Sequence, residues 1–361
     1  LTFLKLGCIS FGGPAAHIAL MEQEVVAKKQ WISRAHFLDL MGATNLIPGP
    51  NSTEMTMHCG YERAGRAGLF VAGTCFILPA VIITALFAWF YQRFGQLPQL
   101  QWILTGITPV ILAIIIKSAY ALAQQAVKTI ALWLLLALTI VACLLGLNEI
   151  AVLFGAGILY MLFSVGTAQK QLPSLLPFLQ ILQLDPITYL PLRIFLIFLK
   201  IGALLYGSGY VLFAFLKSEL VDTALITQQQ LVDAIAVGHF TPGPLFSTAT
   251  FIGWQLDGLR GAVLATVGIF LPSFFFVWLA NPLIPKLRRS RWMSSFLDGV
   301  NIAAVGLIVF VAISIGKEVL LNWRMIALFV ISSIILFFAP KVNSALLIIA
   351  GGLAGYIMHI L

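Results

Sequence analysis

Charge is what this sequence has least of: Asp, Glu, Lys and Arg fill only 9% of its 361 positions, against the roughly one quarter usual for a water-soluble domain. That scarcity excludes a globule solvated on all sides. Hydrophobic residues make up 60% of the chain, and the runs Ala67 to Phe90, Ile130 to Asn148, Gly261 to Ala280 and Gly299 to Gly316 contain no charge at all. Cysteine is also scarce. Cys8, Cys59, Cys75 and Cys143 lie far apart without a C-x-x-C pair or histidines at ligand spacing, so neither a disulfide framework nor a metal site is expected. No phosphate-binding G-x-x-x-x-G-K-[ST] loop, H-E-x-x-H helix, aspartate-rich metal motif or nucleophile elbow occurs. An enzyme, a cofactor protein and a pump with its own nucleotide domain are therefore not expected. No basic-start, short-core, small-residue leader opens the chain, which begins at Leu1 inside an apolar segment, so a natural start further upstream is expected.

What remains is a chain whose solvent is the lipid bilayer, each uncharged run being long enough as a helix to reach across about 30 Å of hydrocarbon. The net charge of +8 comes mainly from Lys and Arg in short segments beside these runs, with no basic-aromatic patch. It reads as a topology signal and a preference for anions, with no nucleic acid as partner.

The chain repeats itself. A shift of about 195 residues lays Phe3-Leu4-Lys5-Leu6-Gly7 on Phe198-Leu199-Lys200-Ile201-Gly202, and Glu24 on Glu219. At slightly smaller offsets Pro48-Gly49-Pro50 meets Pro242-Gly243-Pro244, Asp39 meets Asp233, and Pro79 meets Pro272. Two homologous domains are expected, residues 1–166 and 190–361, joined by a proline-bearing linker over 167–189. The expected fold is an all-α polytopic membrane protein of two inverted repeats. Each repeat would hold about five transmembrane helices and one re-entrant helix-Pro-Gly-Pro-helix hairpin, the hairpins covering residues 36–62 and 230–256. The first spans would be roughly 1–21 and 190–216. Full crossings in place of the re-entrant arms are the alternative.

Two signals argue for inversion. Five spans is an odd number, and the basic bias of the loops reverses between halves. Lys28, Lys29, Arg34, Arg63 and Arg66 precede the second span of half one, whereas Lys286, Arg288, Arg289 and Arg291 follow that of half two. If basic loops are cytoplasmic, both clusters lie inside and both termini outside. Inverted repeats place substrates near the midplane at broken helices.

The residues able to do chemistry cluster at those breaks. Proline lacks an N–H and resists helix interiors, so Pro48-Gly49-Pro50-Asn51-Ser52-Thr53-Glu54 and Pro242-Gly243-Pro244-Leu245-Phe246-Ser247-Thr248 each end one helix and start another. Free amides and the positive end of a helix dipole then face each tip, which suits an anion. Gly49, Asn51, Ser52, Thr53, Gly243, Ser247 and Thr248 are the candidate ligands there; ordinary interfacial loops are the alternative. Phe11-Gly12-Gly13-Pro14 and Tyr206-Gly207-Ser208-Gly209 interrupt the first spans, making Gly12, Gly13, Gly207 and Ser208 candidates for a site-lining opened backbone or for close helix packing. Lys200, seven residues after Arg193 in an apolar run, and its repeat mate Lys5 are the candidate counter-charges. Glu54, His58 and His239 could relay protons or serve as a helix-start carboxylate and packing histidines. Asp39 and Asp233 are expected to pair with Lys or Arg and so fix the hairpins, a wet boundary being the alternative, and Glu22, Glu24 and Glu219 to be solvated loop charges.

Taken together, Phe11-Gly12-Gly13-Pro14 with Glu24 and Trp31-Ile32, Gly49-Pro50-Asn51-Ser52-Thr53-Glu54, Gly60-Tyr61, Thr241-Pro242-Gly243-Pro244 and Thr248-Ala249-Thr250-Phe251-Ile252-Gly253 resemble the chromate ion transporter family in its long, two-domain form. The resemblance covers essentially the whole chain. It implies a secondary transporter that exports chromate, an oxyanion mimic of sulfate, across the bacterial inner membrane and confers chromate resistance. A sulfate or other oxyanion carrier and a passive anion channel are the alternatives. The lipid bilayer and the oxyanion are the expected partners, and a homodimer is compatible with the plan.

Overall fold

A computed structural model describes residues 1–11, 14–44, 46–95, 97–165, 189–206, 209–280, 291–339 and 342–360. Among them there is no strand. The chain is an all-α, multi-pass membrane protein. Its helices are α1 (Thr2–Ile9), α2 (Pro14–Glu22), α3 (Arg34–Thr44), α4 (Asn51–Phe94), α5 (Pro98–Ala126), α6 (Ile130–Leu144) and α7 (Glu149–Val165). After these come α8 (Leu190–Leu204), α9 (Leu212–Leu216), α10 (Gln228–Phe240), α11 (Thr248–Ala280), α12 (Arg291–Val319), α13 (Trp323–Phe338) and α14 (Ser344–Ile360). Among the described residues, α4, α5, α11 and α12 are long and apolar enough to cross a bilayer, and α6, α7, α13 and α14 are shorter apolar helices. Large apolar side chains such as Leu134, Phe163 and Phe338 lie exposed around the outside. Water would penalise such a surface, whereas lipid matches it.

Neither α4 nor α11 is one straight helix. Ala64 and Gly65 leave helical geometry in α4, Asp257 and Gly258 in α11, and the two glycines have φ of +60° and +56°. Beyond each kink the chain folds back on itself. A Cβ on Gly60 would overlap the Gly68 carbonyl, and one on Gly253 the Gly261 carbonyl, so the crossings need glycine on both arms. Residues 51–63 thus return alongside α3, and residues 66–94 form the membrane-crossing stretch; α10 and residues 248–256 do the same in the second half. With 11 and 13 residues, α3 and α10 are about 16 and 20 Å long at 1.5 Å per residue, short of a full crossing.

The first apolar run of each half is a hairpin as well, which corrects the expectation of a span. Lys5 Nζ donates to Glu24 Oε1 at 3.0 Å and Lys200 Nζ to Glu219 Oε1 at 2.7 Å, each pair 19 residues apart. A helix running straight through would separate such partners by roughly 28 Å. Instead α2 doubles back beside α1, and α9 beside α8. The same geometry puts Phe3 against Trp31, with ring centroids 6.0 Å apart. Leu1 therefore stands at the Trp31 end. The last turn of α14, where His359 stacks on Trp102, stands at the other, so the two described termini do not share a side.

Two ends can be told apart by their contacts. At one, Arg63 lies over Trp31, Arg66 over Trp278, and Lys128 pairs with Asp298. At the other, Trp254 Nε1 donates to Gln92 Oε1 at 2.9 Å and Arg260 donates to Tyr189. Residues 66–94 and 259–280 run antiparallel between them: Phe70 stacks on Phe274 towards the first end.

Candidate functional site

At mid-depth the two halves exchange matching contacts. The Gly49 amide donates to the Leu205 carbonyl at 2.8 Å, and the Gly243 amide donates to the Ser10 carbonyl at 2.8 Å. Each Pro-Gly-Pro tip is thereby pinned to the opened backbone of the other half's first hairpin. The acceptors are free because α1 ends at Ile9 and α8 at Leu204, leaving Ser10 and Leu205 in extended conformation. Gly49 and Gly243 have φ of +139° and +94°, which only glycine adopts at low cost.

Around the first tip lies a cavity of about 680 Å³. Pro50, Asn51 and Ser52 of the tip, His17 of α2, Lys117 and Ser118 of α5, and Tyr210, Leu245 and Phe246 of the second half line it. Gln125 at the end of α5 and Val342 to Ser344 at the start of α14 also line it, so the cavity runs from the tip towards the end marked by Arg63, Arg66 and Lys128. Among the described residues no Asp or Glu contributes to its wall. His17 is 2% exposed, and its Nδ1 lies 3.2 Å from Ser52 Oγ. Lys117 makes no hydrogen bond or ion pair among the described residues. Beyond His17 and Tyr210 the space narrows to about 10 Å³ against Gly238, His239, Thr241 and Gly243.

The second tip is built differently. Ser247 accepts from Thr84 Oγ1 at 3.2 Å and Thr248 donates to Leu245 O at 2.8 Å, both side chains being fully buried and locally satisfied. Thr53 at the first tip is fully buried without a partner for its hydroxyl. Glu54 is 0% exposed; its Oε1 lies against Gly49 beside Ser273 of α11, with no ion-pair partner among the described residues. His239 stacks near Tyr210, with centroids 5.4 Å apart, and its Nε2 has no hydrogen-bond partner among the described residues. Gly12, Gly13, Gly207 and Ser208 fall outside the described residues.

The two lysines expected as counter-charges do not reach this cavity. Lys5 shares Glu24 with Lys28, and Lys200 is paired with Glu219 in the second half. Glu24 is accordingly no solvated loop charge, being 7% exposed, and Lys28 and Lys5 together hold its carboxyl down at about 2. Asp233 is also paired otherwise than expected: it accepts from Tyr91 Oη at 2.7 Å and Gln229 Nε2 at 2.9 Å, at the mouth of a second polar pocket of about 420 Å³. Lys117, His17 and Tyr210 were not anticipated. The signal for Lys117 was present in the sequence, a lone lysine after Ile114-Ile115-Ile116 in an otherwise uncharged run.

Pinned tips, a cavity lined by a lysine and lipid-facing helices describe a multi-pass membrane protein with an internal polar site. The family model for chromate transporters matches residues 1–161 and 192–356. The chain belongs to the chromate transporter family. A probable chromate transport protein of Synechococcus elongatus is 30% identical over 327 residues, covering 88% of this chain and 83% of that protein. The chromate transport protein of Cupriavidus metallidurans is 29% identical over 371 residues, 99% of this chain and 92% of that one. An uncharacterized transporter of Methanocaldococcus jannaschii is 25% identical over 379 residues, 99% and 93%. No solved structure matches the chain.

Proposed function

We propose that this protein is a secondary active transporter that exports chromate across the bacterial inner membrane and so confers chromate resistance. The observation that carries the reading is the cavity itself: a space of about 680 Å³ lined by Lys117 and a helix N-terminus, without a carboxylate, ending at a tip pinned across the two halves. The matched lysine–glutamate pairs and tip contacts support two homologous repeats, 1–166 and 190–361, lying antiparallel. The end carrying Lys28, Lys29, Arg34, Arg63 and Arg66 is the cytoplasmic one by the positive-inside rule. The cavity then opens to the cytoplasm, where an exporter loads.

Transport proceeds by breaking the tip contacts at the midplane, the cavity closing towards the cytoplasm as a path opens past Tyr210 and His239. Glu54 and His239, buried at the first and second tips, are the groups that would carry a proton in a coupled cycle. Voltage alone suffices as a driving force: a dianion leaving a cell about 100 mV negative inside gains about 4.6 kcal/mol, at roughly 2.3 per charge. The contacts that close the midplane, Gly243 to Ser10 and Gly49 to Leu205, favour a carrier over an open channel.

A carrier of sulfate or another oxyanion of the same shape is the second reading, because the cavity offers charge and N–H or O–H donors that sulfate satisfies as well. Chromate uptake into proteoliposomes with sulfate as competitor separates the two. Chromate preference of tenfold or more supports the first reading, and equal inhibition supports the second.

A further inference from the structure

We infer that the chain binds one divalent tetrahedral oxyanion, at a single subsite formed by three parts of the first half, Lys117, His17 and the first turn of α4 at Ser52, in a cavity that Tyr210, Asn343 and Ser344 of the second half help to enclose. The inference rests on the transport reading above and names its binding site.

Lys117 sets the charge. A cation within an apolar bundle needs compensation nearby, yet no acidic side chain pairs with it among the described residues and none lines its cavity. A mobile anion supplies what the protein withholds. On the same cavity, at the start of α4, the Thr53 and Glu54 amides both bond back to the Pro50 carbonyl, and Pro50 has no N–H. The Ser52 amide precedes them and is left to point out of the helix, at the positive end of its dipole.

His17 holds Ser52 in place: its Nδ1 lies 3.2 Å from Ser52 Oγ and its ring also bonds the Ser10 backbone, so where Nδ1 carries the proton and donates to Oγ, the serine O–H is free to turn to the cavity. The wall therefore presents one full positive charge and at least two N–H or O–H donors, a match for an oxyanion of charge two and tetrahedral shape.

The second half keeps the helix start but lacks the three side chains. Aligning Pro244 with Pro50 places Leu245 and Phe246 where half one has Asn51 and Ser52, and the 195-residue shift places Leu212 where it has His17. Gly106 and Gly299 hold matching helix crossings in α5 and α12, and that register places Phe310 where half one has Lys117. Leu245 and Phe246 are 8% and 1% exposed, packed as an apolar stopper. Among the described residues the second half offers no matching anion site although the backbone plan is twofold.

The test is equilibrium binding of radiolabelled sulfate, and its displacement by chromate, on the purified full chain in detergent. Wild type should saturate at one anion per chain. Lys117→Gln should bind roughly 10- to 100-fold more weakly, the range expected for losing a charged hydrogen bond, while Lys117→Arg stays within a few-fold. Ser52→Phe, which copies half two, should bind no anion, and Phe246→Ser should leave the stoichiometry at one. Two anions per wild-type chain, or Lys117→Gln binding as tightly as wild type, would overturn the inference. Wild-type stoichiometry decides the matter even if a variant fails to fold. A wild type that neither binds these anions nor carries them in vesicles defeats the transport reading instead.

Discussion

The Gly243 amide of the second half donates to the Ser10 carbonyl of the first, and this bond is one member of a reciprocal pair. Its geometry requires glycine, because φ at Gly243 is +94° and a Cβ there would lie 2.9 Å from that of Ala80. Gly243→Ala should lower stability by about 1–3 kcal/mol, the usual cost of forcing a side chain into such a conformation. Thermal unfolding in detergent measures this, and an unchanged midpoint would mean that the tip relaxes freely.

Lys200 and Glu219 form a largely buried pair, with side chains 19% and 17% exposed. Removing one partner strands the other, so Lys200→Gln or Glu219→Gln alone should cost about 3 kcal/mol. The double variant should recover most of that loss together with transport. A double variant that folds well but stays inactive would restore Lys200 to the list of substrate ligands.

Glu24 is expected to give an acid-sensitive contribution. Hydrogen bonds from Lys28 and Lys5 lower its carboxyl from 4.5 to about 2, so ionised Glu24 favours the folded state. That contribution is fully present above about pH 4.5 and fades as the pH falls towards 2. Comparing wild type with Glu24→Gln across this window should show a stability gap that closes on acidification; a gap independent of pH would assign the loss to packing.

Glu54 is fully buried without a cationic partner among the described residues, and an ionised carboxylate there would be costly. Glu54→Gln preserves shape and removes the titration, so unfolding stability should stay within about 1 kcal/mol of wild type. A loss of several kcal/mol would show that the carboxylate is charged and compensated.

Much of this was legible in the sequence. Uncharged runs fixed the lipid environment, and the Pro-Gly-Pro triplets marked both tips because proline cannot continue a helix through its missing N–H. The breaks after Ile9 and Leu204 followed from glycine-rich interruptions in the same way. Direction was not legible. Hydropathy records whether residues 1–21 tolerate lipid, and a run that doubles back between Lys5 and Glu24 scores like one that goes straight through. The same blindness left Glu24 and Glu219 as loop charges, since their partners sit 19 residues away and meet them only after the reversal. Repeat symmetry also drew attention to Lys5 and Lys200, whereas Lys117, which has no lysine in the matching place, faces the cavity. Asp233 found Tyr91 across the halves, a contact no local pattern announces.

The central claim is that the cavity at Lys117 loads a dianion which the membrane potential drives across. Chromate flux into proteoliposomes against an imposed voltage tests it most directly. Saturable flux that rises with voltage of the sign that pulls anions, with acceleration by chromate on the far side, is the predicted result. Flux that is absent, or that grows without saturation and ignores anion on the far side, would contradict it.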